Sequence, residues 1–296
     1  MSRWGAPSTP GPSVLSVSSV SSVAIRPSAP RRAVPAVVLF VLLFGVPTLA
    51  TRADLARARS LYNERQFDGA IEAAIAAQRT PATADAATIV LARAELERYR
   101  ERADPDDLAA ARTALGTVRA ANLDPRDRLD FQMALGQTLF LQDDYGAAAQ
   151  LFESGLERAV AAGPAAAEAM LDWWGSAMER YADTLDRAQR VHWFGRLGDR
   201  MALELSRDPG SAAAGYWVVV ASRGTGESGA AWDAAIASWV RARLAGTRSA
   251  TLRADLDKLV LEGIIPDRVQ SLASDRRDQA TSDLRAEWEL VKQRWK

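Results

Sequence analysis

The chain has 296 residues, and its 48% apolar content is enough to fill a core and argues against disorder throughout. Cysteine is absent, which excludes disulfides, thiolate zinc sites, cysteine-linked lipid and thiol nucleophiles together. The 37 basic and 37 acidic residues cancel, but Arg3, Arg26, Arg31, Arg32 and Arg52 all fall in residues 1–53, which hold no acid; 37 less these five leaves 32 bases against 37 acids from Asp54 onward, so the body lacks the basic excess that nucleic acid binding uses.

Residues 1–32 read as a low-complexity leader. The stretch 7–30 is mostly Ser, Pro, Val, Ala and Gly, which bury too little surface to offset chain entropy, so disorder is expected there. Arg31 and Arg32 then precede an unbroken apolar run from Ala33 to Ala50. Basic flank, short apolar stretch and terminal small residues make 33–53 a signal peptide, cleaved after Ala50 or Ala53, or else an uncleaved membrane anchor. The run is close to the ~18–20 residues a bilayer requires, although Pro35 and Pro47 shorten its good part. In either case the positive flank stays inside and the body is exported, periplasmic or tethered facing the periplasm. The leader is long for a signal, so translation is expected to begin further downstream. Pro30 and Ala33 to Pro35 do not supply the rest of a twin-arginine pattern.

From Asp54 onward Ala, Leu, Arg and Glu dominate in apolar stripes three and four residues apart, which predicts an all-α body. Stops are expected at Thr80–Pro81, Asp104–Pro105, Asp124–Pro125, Gly163–Pro164, Asp208–Pro209 and Ile265–Pro266, because proline favours a first helical turn and the residue before it resists helix. Residues 164–207 predict two long amphipathic helices that carry Trp173, Trp174, Trp193 and Phe194.

Leu135, Gly136, Leu139, Phe140, Tyr145, Ala148, Phe152, Gly155 and Leu156 place small residues where two helices cross closely and large ones in the gaps between. In residue type and spacing this unit resembles the tetratricopeptide repeat (TPR) family. A second unit repeats it with Ala58, Leu61, Tyr62, Phe67, Ala70, Ala74 and Ala77, and a looser third has Leu108, Ala111, Leu115 and Val118 as its second helix, after a turn lengthened by Asp104 to Asp107. The equivalent Ala70, Ala111 and Ala148 stand 41 and 37 residues apart, slightly above the ~34 of a plain repeat, as short loop insertions would produce. The resemblance implies a TPR-like α-solenoid of antiparallel helix pairs over 54–162. A degenerate continuation over 163–275 is expected, with Tyr216 to Arg223 in a first helix and Ala231 and Ala235 at the small positions of a second. In 276–296 the stripe Leu284, Trp288, Val291 and Trp295 gives a C-terminal amphipathic helix expected to cap the array's open end.

Gly224, Gly226 and Gly229 form a GxGxxG match after the β-prone run Tyr216 to Val220, with Leu259 to Ile265 the only other strand-like run. A dinucleotide site, and with it a nucleotide-dependent enzyme, is the remote reading; in the repeat register these glycines lie in the turn between paired helices, where Ser228 can cap the second. His192 is the only histidine, so a histidine-rich metal site is excluded and a packing or surface role is the simpler expectation. The acids Asp104, Asp106, Asp107 and Asp124, Asp127, Asp130 follow no calcium-loop pattern and suit helix capping. The tryptophans between Trp173 and Trp288 stand at helical positions where core packing is the simplest account.

No set of nucleophile, base and electrophile can be assembled, so neither an enzyme nor a cofactor is expected. The resemblance implies a scaffold that takes a protein or peptide partner on a concave face made by the first helices, where Arg59, Tyr62, Asn63, Met133, Gln137, Phe140 and Leu141 are the expected contacts. Leu55 and Arg59 stand where family members that clamp a peptide carboxylate have Lys and Asn, so the resemblance does not carry over chaperone-tail recognition. An alternative comes from Asp208 through Tyr216, Trp217 and the valines that follow, a segment that resembles the helical T-component of TRAP transporters. It implies a subunit that binds a small-molecule ligand in solute transport. A closed cavity between residues 164 and 245 would favour this second reading over an open groove.

Overall fold

A computed structural model describes the chain from Val46 to Trp295, with the side chains of 46–51, 244, 247 and 248 left out. The leader and most of the expected signal segment lie outside the described residues. Every regular element among the described residues is helical. In order they are α1 (Val46–Asn63), α2 (Phe67–Gln78), α3 (Pro81–Arg102), α4 (Pro105–Thr117), α5 (Pro125–Leu141), α6 (Tyr145–Glu153), α7 (Leu156–Ala162), α8 (Pro164–Ala182), α9 (Arg187–Arg207), α10 (Ala212–Gly224), α11 (Ser228–Arg241), α12 (Ser249–Leu259), α13 (Ile265–Val269) and α14 (Ser274–Arg294). None is long and apolar enough to cross a membrane. Ala50 and Ala53, the expected cleavage points, lie within α1.

Pro81, Pro105, Pro125 and Pro164 each open a helix, at the position where a missing N–H is harmless. Asp104 and Asp124 accept hydrogen bonds from the backbone N–H groups of Asp106 and Asp127, and Asp144, Asp186 and Ser211 cap α6, α9 and α10 in the same way. Two expectations fail locally. Ser228 is the first residue of α11 rather than its cap, and Glu227 in the cap position makes no side-chain bond. Ile265–Pro266 is not a stop: α12 runs through a π-turn, Val260–Ile264, straight into α13. The wide turn is where the ladder absorbs the bond that Pro266 cannot donate.

Consecutive helices pack on one another, and alternate helices touch as well, in the series α1, α3, α5, α8, α10 and α12. Three of the returns share one backbone device. Arg65, Asp143 and Gly226 all adopt positive φ, and each precedes by five residues an alanine with no exposed surface, Ala70, Ala148 and Ala231. At each, the N–H following the left-handed residue bonds five residues back, Gln66 to Leu61, Asp144 to Leu139 and Glu227 to Ser222. The return from α3 to α4 has its left-handed residue, Ala103, eight positions before Ala111, but the lengthened turn expected at Asp104 to Asp107 is not formed: only Ala103 and Asp104 separate the helices, and Pro105 to Asp107 make the first turn of α4.

Where helices cross, aromatic rings lie on glycine. A Cβ on Gly136 of α5 would stand 2.4 Å from the Phe152 ring of α6, and one on Gly175 of α8 would stand 2.3 Å from the Trp217 indole of α10. The core divides accordingly: small alanine-rich clusters lie among α1 to α5, and one large cluster runs from Leu129 to Trp288. Within it Trp288 of α14 is fully buried, with its ring against Trp232 and Trp239 and its indole N–H donating to Asp257 at 2.6 Å. Leu284, Val291 and Trp295 pack partly buried on the same side.

Gly175→Ala is expected to lower stability by about 1–3 kcal/mol, because the Trp217 ring has nowhere to go. Gly195→Ala, on open surface in the middle of α9, is expected to raise it by about 0.5–1 kcal/mol through helix propensity alone. Urea denaturation of the two variants checks both signs.

Candidate functional site

The face shared by the first helices carries a row of charge. From α1, Arg59 Nη2 donates to Asp127 Oδ1 of α5 at 2.5 Å. From α3, Arg93 Nη1 donates to Asp130 Oδ1 of α5 at 2.6 Å while its guanidinium lies 4.6 Å from the centre of the Tyr62 ring. Two turns further along α3, Arg100 donates to Glu97 at 2.6 Å and sits 5.2 Å from the centre of the Trp173 ring of α8. Helical periodicity explains the row: 93, 97 and 100 are spaced by four and three, so they form one stripe. Burial grades along it, because the side chains of Arg59, Arg93 and Asp130 keep 29%, 21% and 30% of their surface while Arg100 and Glu97 keep 7% and 6%. Burial raises the Tyr62 phenol above its ordinary value, against the Arg93 charge. Burial likewise raises the Asp127 carboxyl, against Arg59.

The seven residues expected to contact a partner separate into two groups. Arg59 and Tyr62 are part of the half-buried row, Leu141 is half-buried, and Asn63 is exposed at the end of α1. Met133, Gln137 and Phe140 are buried. Phe140 is packed edge-on against Tyr145 and Trp173, with ring centres 5.1 and 5.6 Å apart, so it belongs to the core. The cause is the close contact of α3 and α8 with α5, which covers positions that an open groove would leave to solvent.

Of the two acid groups, Asp104 and Asp124 cap helices, while Asp107, Asp127 and Asp130 hold Arg98, Arg59 and Arg93. Among the described residues no group of three or more His, Asp or Glu is arranged to hold a metal ion. His192 is exposed on α9. The run Tyr216 to Val220 is helical within α10, so the strand that a dinucleotide site needs is absent there, and Gly226, with φ +89°, forms the left-handed turn into α11.

A second feature escaped the sequence reading. A half-open cleft of about 260 Å³ is floored by Phe194, Val220, Gly224 and Leu259 and edged by Glu179, Asp183, Asp267, Arg190 and Arg223. Gly224 is part of the floor because a Cβ there would stand 2.2 Å from the Phe194 ring. The glycine pattern was the one signal in the sequence that touches this cleft; its remaining residues come from five separate helices.

Set against known proteins, the chain matches no family model, no curated protein and no solved structure. Its chemistry is therefore argued from its own residues. One of them, Glu95 on α3, is buried with Oε2 lacking a hydrogen-bond partner among the described residues, and burial raises its carboxyl to about 7 with Arg98 opposing and Asp107 adding to the shift.

Well below pH 4.5 Glu95 is neutral in both folded and unfolded chain. Between there and about 7 the unfolded chain gives up the proton and the folded one keeps it, so this group's contribution to stability falls as pH rises through the window. Glu95→Gln is expected to melt several degrees above the parent at pH 8 and level with it near pH 4; calorimetry at the two pH values decides.

Proposed function

We propose that the chain is an exported, non-enzymatic TPR-like scaffold that holds a protein or peptide partner on the face formed by its first helices. Three returns with one geometry, each followed at the same distance by a buried alanine, support reading α1/α2, α5/α6 and α10/α11 as copies of one unit. Contacts along α1, α3, α5, α8, α10 and α12 support their stacking in a single direction, as in a solenoid. In that arrangement α14, anchored by Trp288, covers the last unit.

The observation that carries the binding proposal is the Arg59, Tyr62, Arg93 and Asp130 row. Its charges are paired within the protein yet remain open to solvent on one side, so an extended polar segment can trade hydrogen bonds with them without leaving a buried charge alone. The tightly packed end of the row, from Arg100 to Trp173 and Phe140, leaves no space for a partner. Contact is thereby confined to the α1 side, through Arg59, Tyr62 and Asn63, and to Leu141 at the end of α5.

A photo-crosslinking residue at Asn63 or Leu141 is expected to capture one discrete partner, and the same residue at Gln150, exposed on α6, is expected to capture none. Equal capture from Gln150 would overturn the proposal. Phe140→Ala is unsuitable as a binding test, since removing that buried ring costs about 3–5 kcal/mol. Export has its own measurement. Mass spectrometry of the chain recovered outside the cytoplasm is expected to find Thr51 or Asp54 as its first residue if the segment is removed as a signal, and a membrane-bound full-length chain if it is an anchor.

The cleft floored by Phe194 and Leu259 favours a second reading, a helical small-ligand-binding subunit similar to the TRAP T-component. At about 260 Å³ it approaches the lower end of small-molecule sites, and α12 and α13 contribute Leu259 and Asp267 to its lining.

A further inference from the structure

We infer that the cleft between α8, α9, α10 and the α12–α13 turn binds a small organic cation, a primary ammonium or guanidinium on a short aliphatic stem. The inference rests on the small-ligand reading and names its ligand class.

The charge balance of the edge comes first. Three carboxylates, Glu179, Asp183 and Asp267, face two guanidiniums, Arg190 and Arg223. Both guanidiniums have partners. Arg223 Nε donates to Asp267 Oδ2 at 2.6 Å, and Arg190 donates to the backbone carbonyls of Ala182 and Asp183 at 3.3 and 3.4 Å. The arginine beside Asp183 therefore bonds its carbonyl and not its carboxylate, which is exposed at the mouth. The carboxyl ends of α8, at Ala182, and of α10, at Gly224, also meet here, and the partial negative charge of a helix carboxyl end adds to the same sign. The exposed Asp183 carboxylate and the two helix carboxyl ends favour a cation over an anion, against the charge of Arg190 and Arg223.

Local backbone shapes the site for a ligand of this size. Leu259 and Asp267 are eight residues apart, which in a regular α-helix sets them about 80° apart around the axis. The π-turn at Val260–Ile264 takes up about one extra residue, so the two come to share a face and line one wall together. Gly263, within that turn, has no side chain where the Arg223 guanidinium lies: a Cβ would stand 2.8 Å from its central carbon. Arg223 can thus cross the turn to reach Asp267, beside the floor of Phe194, Val220 and Leu259. An aliphatic stem of about four carbons rests on that floor with its charged end toward Asp183.

The test uses the whole chain with n-butylammonium, butyrate, γ-aminobutyrate and 1-butanol at equal ionic strength, read by methyl NMR at Val220 and Leu259. Butylammonium is expected to move both methyl signals saturably, γ-aminobutyrate more weakly, and butyrate and butanol not at all. Asp183→Asn, at an exposed position, is expected to leave the melting temperature unchanged and weaken butylammonium binding at least about fivefold. If butyrate moves the same signals as strongly, the cation inference fails while the small-ligand reading stands. If none of the four does, both fail. Unchanged affinity in Asp183→Asn also overturns the inference.

Discussion

Two helices joined by a return of three residues cross so closely that the fourth residue of the second helix carries no side chain larger than a methyl group. Everything else in the chain is arranged around that limit. Ala70, Ala148 and Ala231 meet it in three returns, each five residues after a left-handed residue that turns the chain. Where the crossing is closer still, glycine replaces alanine and a ring lies on its backbone, as Phe152 does on Gly136, Trp217 on Gly175 and Phe194 on Gly224. Each ring contributes a large buried area at a point where two helices could otherwise slide, so register and core come from the same contacts.

The same packing decides which polar groups are available for function. Contacts of α3 with α1 and α5 bring Arg93 between Tyr62 and Asp130, and they leave the row open only toward the α1 side. Further along, α8 closes on α5 and turns Met133, Gln137 and Phe140 into core. Near the other end, the continuous α12–α13 helix is bent out of regular register by its π-turn, and that irregularity creates the wall of a cleft that straight helices would not form. The open row and the cleft are on different helices, so each can be tested without disturbing the other.

The sequence supplied helix positions well wherever a local rule sufficed. Pro81, Pro105, Pro125 and Pro164 open helices because a missing N–H is harmless in a first helical turn and costly further in. The rule misled at Pro266, since whether a helix tolerates proline depends on how the turn before it can widen, and that is set by neighbours. Gly226 was readable as turn chemistry, but the fit of Phe194 on Gly224 was not, because the ring comes from another helix. That Arg59 joins Asp127 across 68 residues was not legible in its repeat position.

By itself the sequence determined that the body from Asp54 is helical, where most of its helices begin, and which small residues stand at the returns, because these follow from propensity, capping and spacing within a few turns of chain. Only the tertiary structure decided which side chains of those helices remain open to solvent, which acids pair with Arg59, Arg93 and Arg98, and the existence of the cleft. Those depend on distances between segments remote in the chain, which three- and four-residue periodicity does not encode.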